Sequence, residues 1–320
     1  MGDLPEVRVN TFGVFENVGT DYGGPFYIKN KKGRGATTSK AYLCLFICMS
    51  TKAVHLELVS DLTSECFIAA LNRFTSRRGK PKNIYSDNGL NYVGANRELS
   101  QVYNFLNENA AYLGNKLADE NIFWHFIPAN SPTFGGLWEA GIKSAKHHIK
   151  RVIGNTPLTF EEFGTFLVQI EGILNSRPLC PLTEDPEDCA SLTPAHFLNG
   201  RTITSTPQHN LTDVAENRLS RWQHIQAMVQ HYWQRWQKEY LGELQTRTKW
   251  RRRFDEIIKV GSMVLIKDDN VPVLEWRLGR VTELHSGADG VVRVVTVKGQ
   301  FGSLKRAINR ICVLPVETEI

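Results

Sequence analysis

Three acidic residues are spaced so that they could act together in one reaction. They are Asp21 in GTDYGG, Asp87 in YSDNG and Glu139 in LWEAG. Two of them close predicted strands and the third opens a predicted helix, and side chains at such ends can converge on one edge of an α/β sheet. Three adjacent carboxylates repel one another unless protons or hard cations such as Mg²⁺ or Mn²⁺ relieve the repulsion. The pattern therefore predicts a metal site, and two ions about 3.5–4 Å apart would suit in-line phosphoryl transfer.

The helix predicted after Glu139 carries lysines on one side. Within SPTFGGLWEAGIKSAKHHIK, residues 131–150, they are Lys143, Lys146 and Lys150. At about 100° per residue these positions and Glu139 fall within an arc of roughly 60°. Two explanations stay open. The lysines could form the solvated face of an ordinary amphipathic helix, or they could bind phosphates beside a metal-binding carboxylate.

Each acid also has a purely structural explanation. Asp21 could shape a glycine-rich turn, and SDNG around Asp87 is a good turn sequence. Glu139 suits the positive end of a helix dipole. Taken singly these explanations are the better ones, and only the joint placement of the acids with the lysine face favours catalysis.

The elements that must position these residues form an α/β pattern. Strands come first and are then interleaved with helices, which predicts a mixed sheet with helices packed on it. The predicted strands are VFENVGTDYGGPFYIK, Tyr42–Met49, Ala53–Leu58, KNIYSDNG and NIFWHFIPA. The predicted helices include one that begins with Ser64 as N-cap and stops at Gly79, and another in TFEEFGTFLVQIEGILNSRP.

The chain changes character after residue 200. Residues 201–218 have little periodicity, and an apolar 3-4 spacing from Leu219 predicts a long helix with Trp222, Trp233 and Trp236 as packing residues. From Val260, short runs bounded by turns predict an all-β module of the SH3-like barrel type. We therefore expect three regions: 1–200, 201–255 and 256–320.

Five basic residues crowd into TRTKWRRR just before this module, and they include Arg251, Arg252 and Arg253. The run could be a solvated tether, a nuclear-import signal or a DNA contact.

Composition limits the function classes. With 42% apolar and 22% charged residues in 320, the sequence is that of a folded globular protein. The longest apolar run, 41–49, is too short to span a bilayer, and no signal-peptide pattern opens the sequence. A net charge of +5 permits nucleic-acid binding without establishing it. The six cysteines include no CxxC pair, so we expect reduced thiols and no zinc site.

Several motifs together resemble the integrase of BEL/Pao-type long-terminal-repeat retrotransposons, a branch of the retroviral integrase superfamily. They are VGTDYGGPF, TKAVHLELVSDLT, IYSDNGLNYVGA, FGGLWEAGIKSAKHHIKRVIG, ILNSRPL and LTPAHFLNGR. They occur in the family's order over most of residues 10–200. The helix and β-module after Leu219 resemble the region that follows this core.

The resemblance implies an RNase H-like catalytic core with a D,D,E triad at Asp21, Asp87 and Glu139. These residues would be both catalytic and metal-binding, with Mg²⁺ or Mn²⁺ as cofactor. Water would first trim the element's DNA end, and the new 3′-hydroxyl would then attack a target phosphodiester directly. Lys143 and Lys146 match lysines that contact the element's DNA end.

The resemblance also implies partners and a place of action. Double-stranded DNA, both element ends and target, would be the substrate, bound by a homo-multimer. Lys150 and the three arginines of the basic run extend the expected DNA-binding set. Such a protein would act in the nucleus after import from the cytoplasm.

The sequence departs from the family pattern in two ways. The spacing of 51 residues between Asp87 and Glu139 is longer than retroviral integrases typically have, which fits an inserted helical stretch. Glu120 is a competing third acid, but it precedes the FWHFIPA strand and no lysine face follows it. The family's upstream zinc-binding His/Cys module would have no room in this chain, so we expect either its loss or a fragment of a longer polyprotein.

Two other functions compete with integration. The chain could be a captured, catalytically idle protein that binds DNA or chromatin, or an RNase H-like nuclease that ends at hydrolysis. Three clustered carboxylates beside a polyanion argue against a pure binding protein, since binding alone does not need them.

Overall fold

The structure is a computed structural model. It describes residues 6–10, 12–33, 35–87, 93–94, 122–126, 136–154, 156–183, 185, 187–206, 208–245, 258–269, 271–300 and 302–315. The chain divides into two compact units, Met1–Glu171 and Gly172–Ile320. The domain boundaries predicted at residues 200 and 255 stay predictions.

The first unit is built on one mixed β-sheet. Its strands are β1 (Asn17–Lys29), β2 (Thr38–Cys48), β3 (Val54–Val59), β4 (Asn83–Ser86), β5 (Phe123–Phe126) and β6 (Leu158–Thr159). The order is β3-β2-β1-β4-β5, and β6 pairs with the end of β1. β2 runs antiparallel to both β1 and β3, whereas β4, β5 and β6 run parallel to the strands they pair with. The predicted mixed sheet is confirmed, and the two-residue β6 is an addition too short to leave a periodic pattern.

Four helices accompany the described part of this sheet. They are α1 (Glu6–Val9), α2 (Ser64–Arg78), α3 (Gly136–Ile153) and α4 (Phe160–Asn175). α2 buries an apolar face that includes Phe74, whose ring stacks on that of Phe46 in β2 at 4.5 Å. Its N-cap is Thr63 rather than the predicted Ser64. Thr63 keeps an extended backbone, and its hydroxyl accepts the N–H of Cys66 at 3.2 Å, which is the cap geometry.

The second unit combines helices with small strands and a larger sheet. Before the sheet come β7 (Cys180–Pro181), β8 (Ser191–Leu192), α5 (Pro194–Asn199), a 3₁₀ turn (Glu216–Arg218) and α6 (Arg221–Leu244). The sheet contains β9 (Met263–Ile266), β10 (Leu278–Ser286), β11 (Val292–Gly299), β12 (Gly302–Ala307) and β13 (Ile311–Val313). Its order is β12-β11-β10-β9-β13, and every described pair is antiparallel. The predicted all-β module is thus present, while its closure into an SH3-like barrel stays a prediction.

Helix α6 confirms the long helix expected from Leu219. Ser220 and Gln223 form a capping box at its start. Trp233 and Trp236 are buried as predicted, and the Trp233 indole donates a hydrogen bond to the Val271 carbonyl at 3.1 Å. Trp222 is 54% exposed, so its prediction as a packing residue is wrong; it lies in the first turn of the helix, before the buried stripe begins at Ile225.

None of the described helices has the length and apolar character needed to cross a membrane.

A buried charge network joins β3, α2 and α4 in the first unit. His55, 1% exposed, places Nε2 3.0 Å from Glu57 Oε1 and Nδ1 3.2 Å from Glu171 Oε2. Arg73 Nε lies 2.6 Å from the Glu57 carboxylate, and Arg78 pairs with Glu171. Each acid therefore has both an imidazole and a guanidinium partner, as buried charges require.

Protonation of His55 follows from this geometry. Burial alone would lower the pKa of His55, but the hydrogen bonds and charges of Glu171 and Glu57 outweigh burial and raise it above 6.5. Arg78 Nε also lies 3.4 Å from Nδ1, as a donor would to a neutral ring. The carboxylate oxygen at 3.2 Å is the stronger partner, and we assign the doubly protonated imidazole.

Replacing His55 by leucine is expected to destabilise the first unit by about 3 kcal/mol, the low end for a broken buried ion pair. The reason is that two buried carboxylates lose their shared cation while their arginines remain. Urea unfolding at pH 6 measures the change. Lys82→Met is the control, since Lys82 is 72% exposed in its ion pair with Glu16 and should cost less than about 1 kcal/mol.

The same comparison has a defined pH dependence. A histidine with a raised folded-state pKa contributes fully below the unfolded value of 6.5 and loses its contribution as pH rises through the folded value. The difference in the free energy of unfolding between wild type and His55→Leu should therefore shrink between pH 6 and pH 9. A difference that is constant with pH, or one no larger than the loss of stability in Lys82→Met, would contradict a protonated His55 paired with two buried carboxylates.

Candidate active site

Strand register brings Asp21 and Asp87 to the same level of the sheet. β1 and β4 are parallel, with Asn17 opposite Asn83 and Gly19 opposite Tyr85. Asp21 lies two residues further along β1 and Asp87 is the first residue after β4, so the same offset, continued by two residues, puts Asp21 level with Asp87. Because residues two apart on a strand share a face, both carboxylates belong to the face that carries Gly19 and Tyr85. Asp21 is half-buried and Asp87 is exposed.

Helix α3 lies against this face because β1 has glycines where the helix passes. A β-carbon added to Gly19 would lie 2.4 Å from Cε3 of Trp138, a distance that real side chains do not reach. One added to Gly23 would lie 3.0 Å from Ile142 Cδ1 and 3.7 Å from the β-carbon of Lys146. Asp21 stands midway between the two glycines on the strand.

The helix therefore places its own charged residues on either side of Asp21. From Trp138 to Lys146 the helix rises about 12 Å, and from Gly19 to Gly23 the strand advances about 13 Å. The two segments therefore have nearly the same length and lie alongside each other. Glu139 follows Trp138 in the first turn, near the Gly19 end. Lys146 lies at the Gly23 end.

The electrostatics of Asp21 reflect these neighbours. Burial, together with the charges of Asp87 and Glu139, raises the pKa of Asp21 to about 6. The Tyr22 N–H donates to Asp21 Oδ1 at 2.7 Å, and this bond and the Lys146 charge oppose the rise without cancelling it. The three predicted acids thus act on one another electrostatically, with one lysine among them.

The donor set suits a hard cation in its chemistry, since it consists of carboxylate oxygens whose mutual repulsion a divalent ion would relieve. Its spacing is a separate matter. Among the described residues, no group of three or more His, Cys, Asp or Glu side chains is placed to hold one metal ion together. Metal binding by these acids stays a prediction.

The remaining predicted residues fall into two groups. Lys143 and Lys150 are exposed on α3, and Lys146 is half-buried. The arginines of the basic run, Arg251, Arg252 and Arg253, lie outside the described residues, as does the competing acid Glu120.

This face also carries a stacked pair of rings that the sequence did not predict. The Tyr85 and His125 rings are stacked, with centroids 4.7 Å apart and planes 14° from parallel. Asn83 joins them to β1 through hydrogen bonds of 2.8 Å to His125 Nε2 and 2.8 Å to Asn17 Oδ1. Alternation of polar residues in NIYS and FWHF was the available signal, but it could not show that the two strands are neighbours.

Comparison with known proteins gives little further definition. Residues 220–314 match a family model described as Family of unknown function (DUF5641). No curated protein matches the chain. One similar structure is a chain in the cryo-electron-microscopy structure of the simian T-cell lymphotropic virus intasome in complex with PP2A regulatory subunit B56 gamma. Its TM-score is 0.40 at 10% identity, over 99% of this chain and 85% of that chain, which is too weak to carry an argument.

Asp21→Asn should stabilise the first unit by roughly 1–2 kcal/mol at pH 8, within the range of single stabilising substitutions. A carboxyl whose folded pKa is raised to about 6 binds its proton more tightly when folded, so ionisation above that pH opposes folding. The gain should vanish near pH 4, and urea unfolding at both pH values measures it.

Asp61→Asn provides the matched control. Asp61 is exposed, and its Oδ1 accepts the N–H of the next residue at 2.7 Å, the same local bond that Asp21 makes. Its carboxylate is exposed to solvent rather than half-buried, so its substitution should leave stability unchanged or slightly lower. An Asp21→Asn variant that is no more stable than Asp61→Asn would contradict the electrostatic description.

Proposed function

We propose that the protein is a metal-dependent DNA integrase of the polynucleotidyl transferase class. The observation that carries the proposal is the carboxylate row at Asp21 and Asp87, with Glu139 and Lys146 acting on it from helix α3. A half-buried acid with a raised pKa beside other acids lowers the stability of the fold when it is ionised. Such an arrangement is typical of catalytic sites. The motifs that resemble BEL/Pao integrases give this site its class of reaction.

The reaction proposed is the transfer of one DNA strand to another. The 3′-hydroxyl of an element end attacks a target phosphodiester, a new P–O bond forms, and the bond to the target's 3′-oxygen breaks. Hydrolytic trimming of the element end would precede it. Asp21, Asp87 and Glu139 would hold Mg²⁺ or Mn²⁺, which when bound supplies positive charge to stabilise the negative charge that develops at phosphorus.

The lysines of α3 fit the binding of the DNA backbone. Lys143 and Lys150 expose their side chains from the helix that carries Glu139, so they could bind the DNA backbone along that helix. Lys146 lies nearest Asp21 and would balance carboxylate charge as well as contact DNA.

Further parts of the proposal rest on the resemblance alone. They are an RNase H-like core, a DNA-contacting basic run ahead of an SH3-like barrel, assembly into a homo-multimer on double-stranded DNA, and action in the nucleus.

The test of the proposed chemistry is Asp87→Asn. We expect it to abolish Mg²⁺-dependent strand transfer of a short DNA duplex while circular dichroism stays unchanged, because one of the carboxylates on the row loses its charge. Asp61→Asn, on an exposed loop, should retain activity. Strand transfer by Asp87→Asn at the wild-type rate would show that the site is wrong, and nicking without joining by the wild type would favour a nuclease.

A second candidate is a protein that binds DNA or chromatin without catalysis. The observation that favours it is that no described group of three acidic, histidine or cysteine side chains is arranged to hold a metal. Calorimetric titration with Mn²⁺ separates the two. An integrase should show saturable binding that Asp21→Asn removes, and a binding protein should show none.

A further inference from the structure

The stacked rings of Tyr85 and His125 lie on the carboxylate face, one step back from the acids. In the sheet, Gly19, Tyr85 and His125 form one row across β1, β4 and β5. Asp21 and Asp87 form the next row on the same face. With about 3.3 Å per residue and 4.8 Å between strands, the α-carbons of His125 and Asp87 are roughly 8 Å apart.

Hydrogen bonds hold the imidazole in a defined orientation. Asn83 Nδ2 donates to Asn17 Oδ1, so Asn83 Oδ1 faces His125 and accepts a hydrogen bond from its Nε2–H. Asn17 is 3% exposed, which anchors this chain of bonds in the body of the sheet. The ring is thus held at both its edge and one face, by Asn83 and by Tyr85.

Among the described residues, none stacks on the other face of the His125 ring. β5 ends the described path of the sheet, so no described strand lies beyond His125. Tyr85 is half-buried while His125 is exposed, as expected if the tyrosine covers the inner face of the imidazole and solvent meets the outer one. A flat group could therefore extend the stack at the sheet edge.

We propose that the Tyr85–His125 stack binds an unpaired base of the DNA strand next to the reacting phosphate. This inference rests on the proposed function and adds to it a position where the strand is held. Bases stack on aromatic side chains without sequence preference, and a fixed pair of rings offers such a surface with little loss of side-chain entropy. A separation of about 8 Å from Asp87 corresponds to one to three nucleotides. The pair therefore positions the strand end, and the acids carry the chemistry.

The experiment uses the full chain in EDTA, so that binding is measured without turnover. The probes are DNA duplexes carrying 2-aminopurine in a two-nucleotide unpaired end or in a flush end. Wild type should bind the unpaired end and quench its fluorescence, because stacking quenches this base. His125→Ala should weaken that binding about tenfold and lose the quenching, with much less effect on the flush end.

Two variants guard against a merely structural effect. His125→Phe keeps the ring and loses the bond to Asn83, so it should restore quenching and most of the affinity. Phe160→Ala removes a ring that is 50% exposed at the start of α4, beyond the far end of β1, and should behave as wild type.

The outcomes separate this inference from the proposed function. If His125→Ala binds and quenches like wild type, or weakens both ends equally without rescue by phenylalanine, the stack does not hold a base. Strand transfer by such a protein would leave the integrase proposal intact. If wild type fails to bind either DNA, both proposals are overturned.

Discussion

The close approach of helix α3 to strand β1 is the constraint on which the candidate site depends. Gly19 and Gly23 give the helix room to lie on the strand, since a β-carbon at either position would meet Trp138 or Ile142. Asp21 stands between these glycines, so the helix that fills their space also brings Glu139 and Lys146 to it. A bulkier residue at Gly19 would push the helix away and separate the third acid from the other two.

The first unit treats its two groups of acids in opposite ways. In the network around His55, Glu57 and Glu171 are matched by an imidazole and by arginines, and their pKa values fall despite burial. Around Asp21 the acids meet one lysine, and the pKa of Asp21 rises. The first arrangement stabilises the packing of α2 and α4 on β3. The second leaves an excess of negative charge that the fold tolerates, and such an excess is what a site for cations requires.

Sequence patterns predicted the helices and strands better than they predicted which of these elements contact one another. The alternation and apolar runs gave strands close to β2 and β3, and the stop at Gly79 was confirmed. Thr63 and Ser64 both suit an N-cap, and only the backbone conformation chose Thr63. His55 lies in a run of alternating apolar residues that by itself indicates only packing, whereas in the structure it joins residues far apart in the chain, with Glu171 more than a hundred positions away. The Tyr85–His125 stack was not predicted for the same reason, since β4 and β5 are neighbours in the sheet but far apart in the sequence.

By itself the sequence determined which residues could do chemistry: three carboxylates, a lysine-bearing helix after the third, and glycines around the first. Residue type and local spacing are enough to predict these features, because they decide which residues lie at a strand end or on one face of a helix. The tertiary structure alone decided that β1 and β4 are parallel neighbours in a register that sets Asp21 beside Asp87. It also decided that α3 lies on β1 at the glycines. Register and helix placement depend on packing between distant segments, and no local pattern encodes the distance between them.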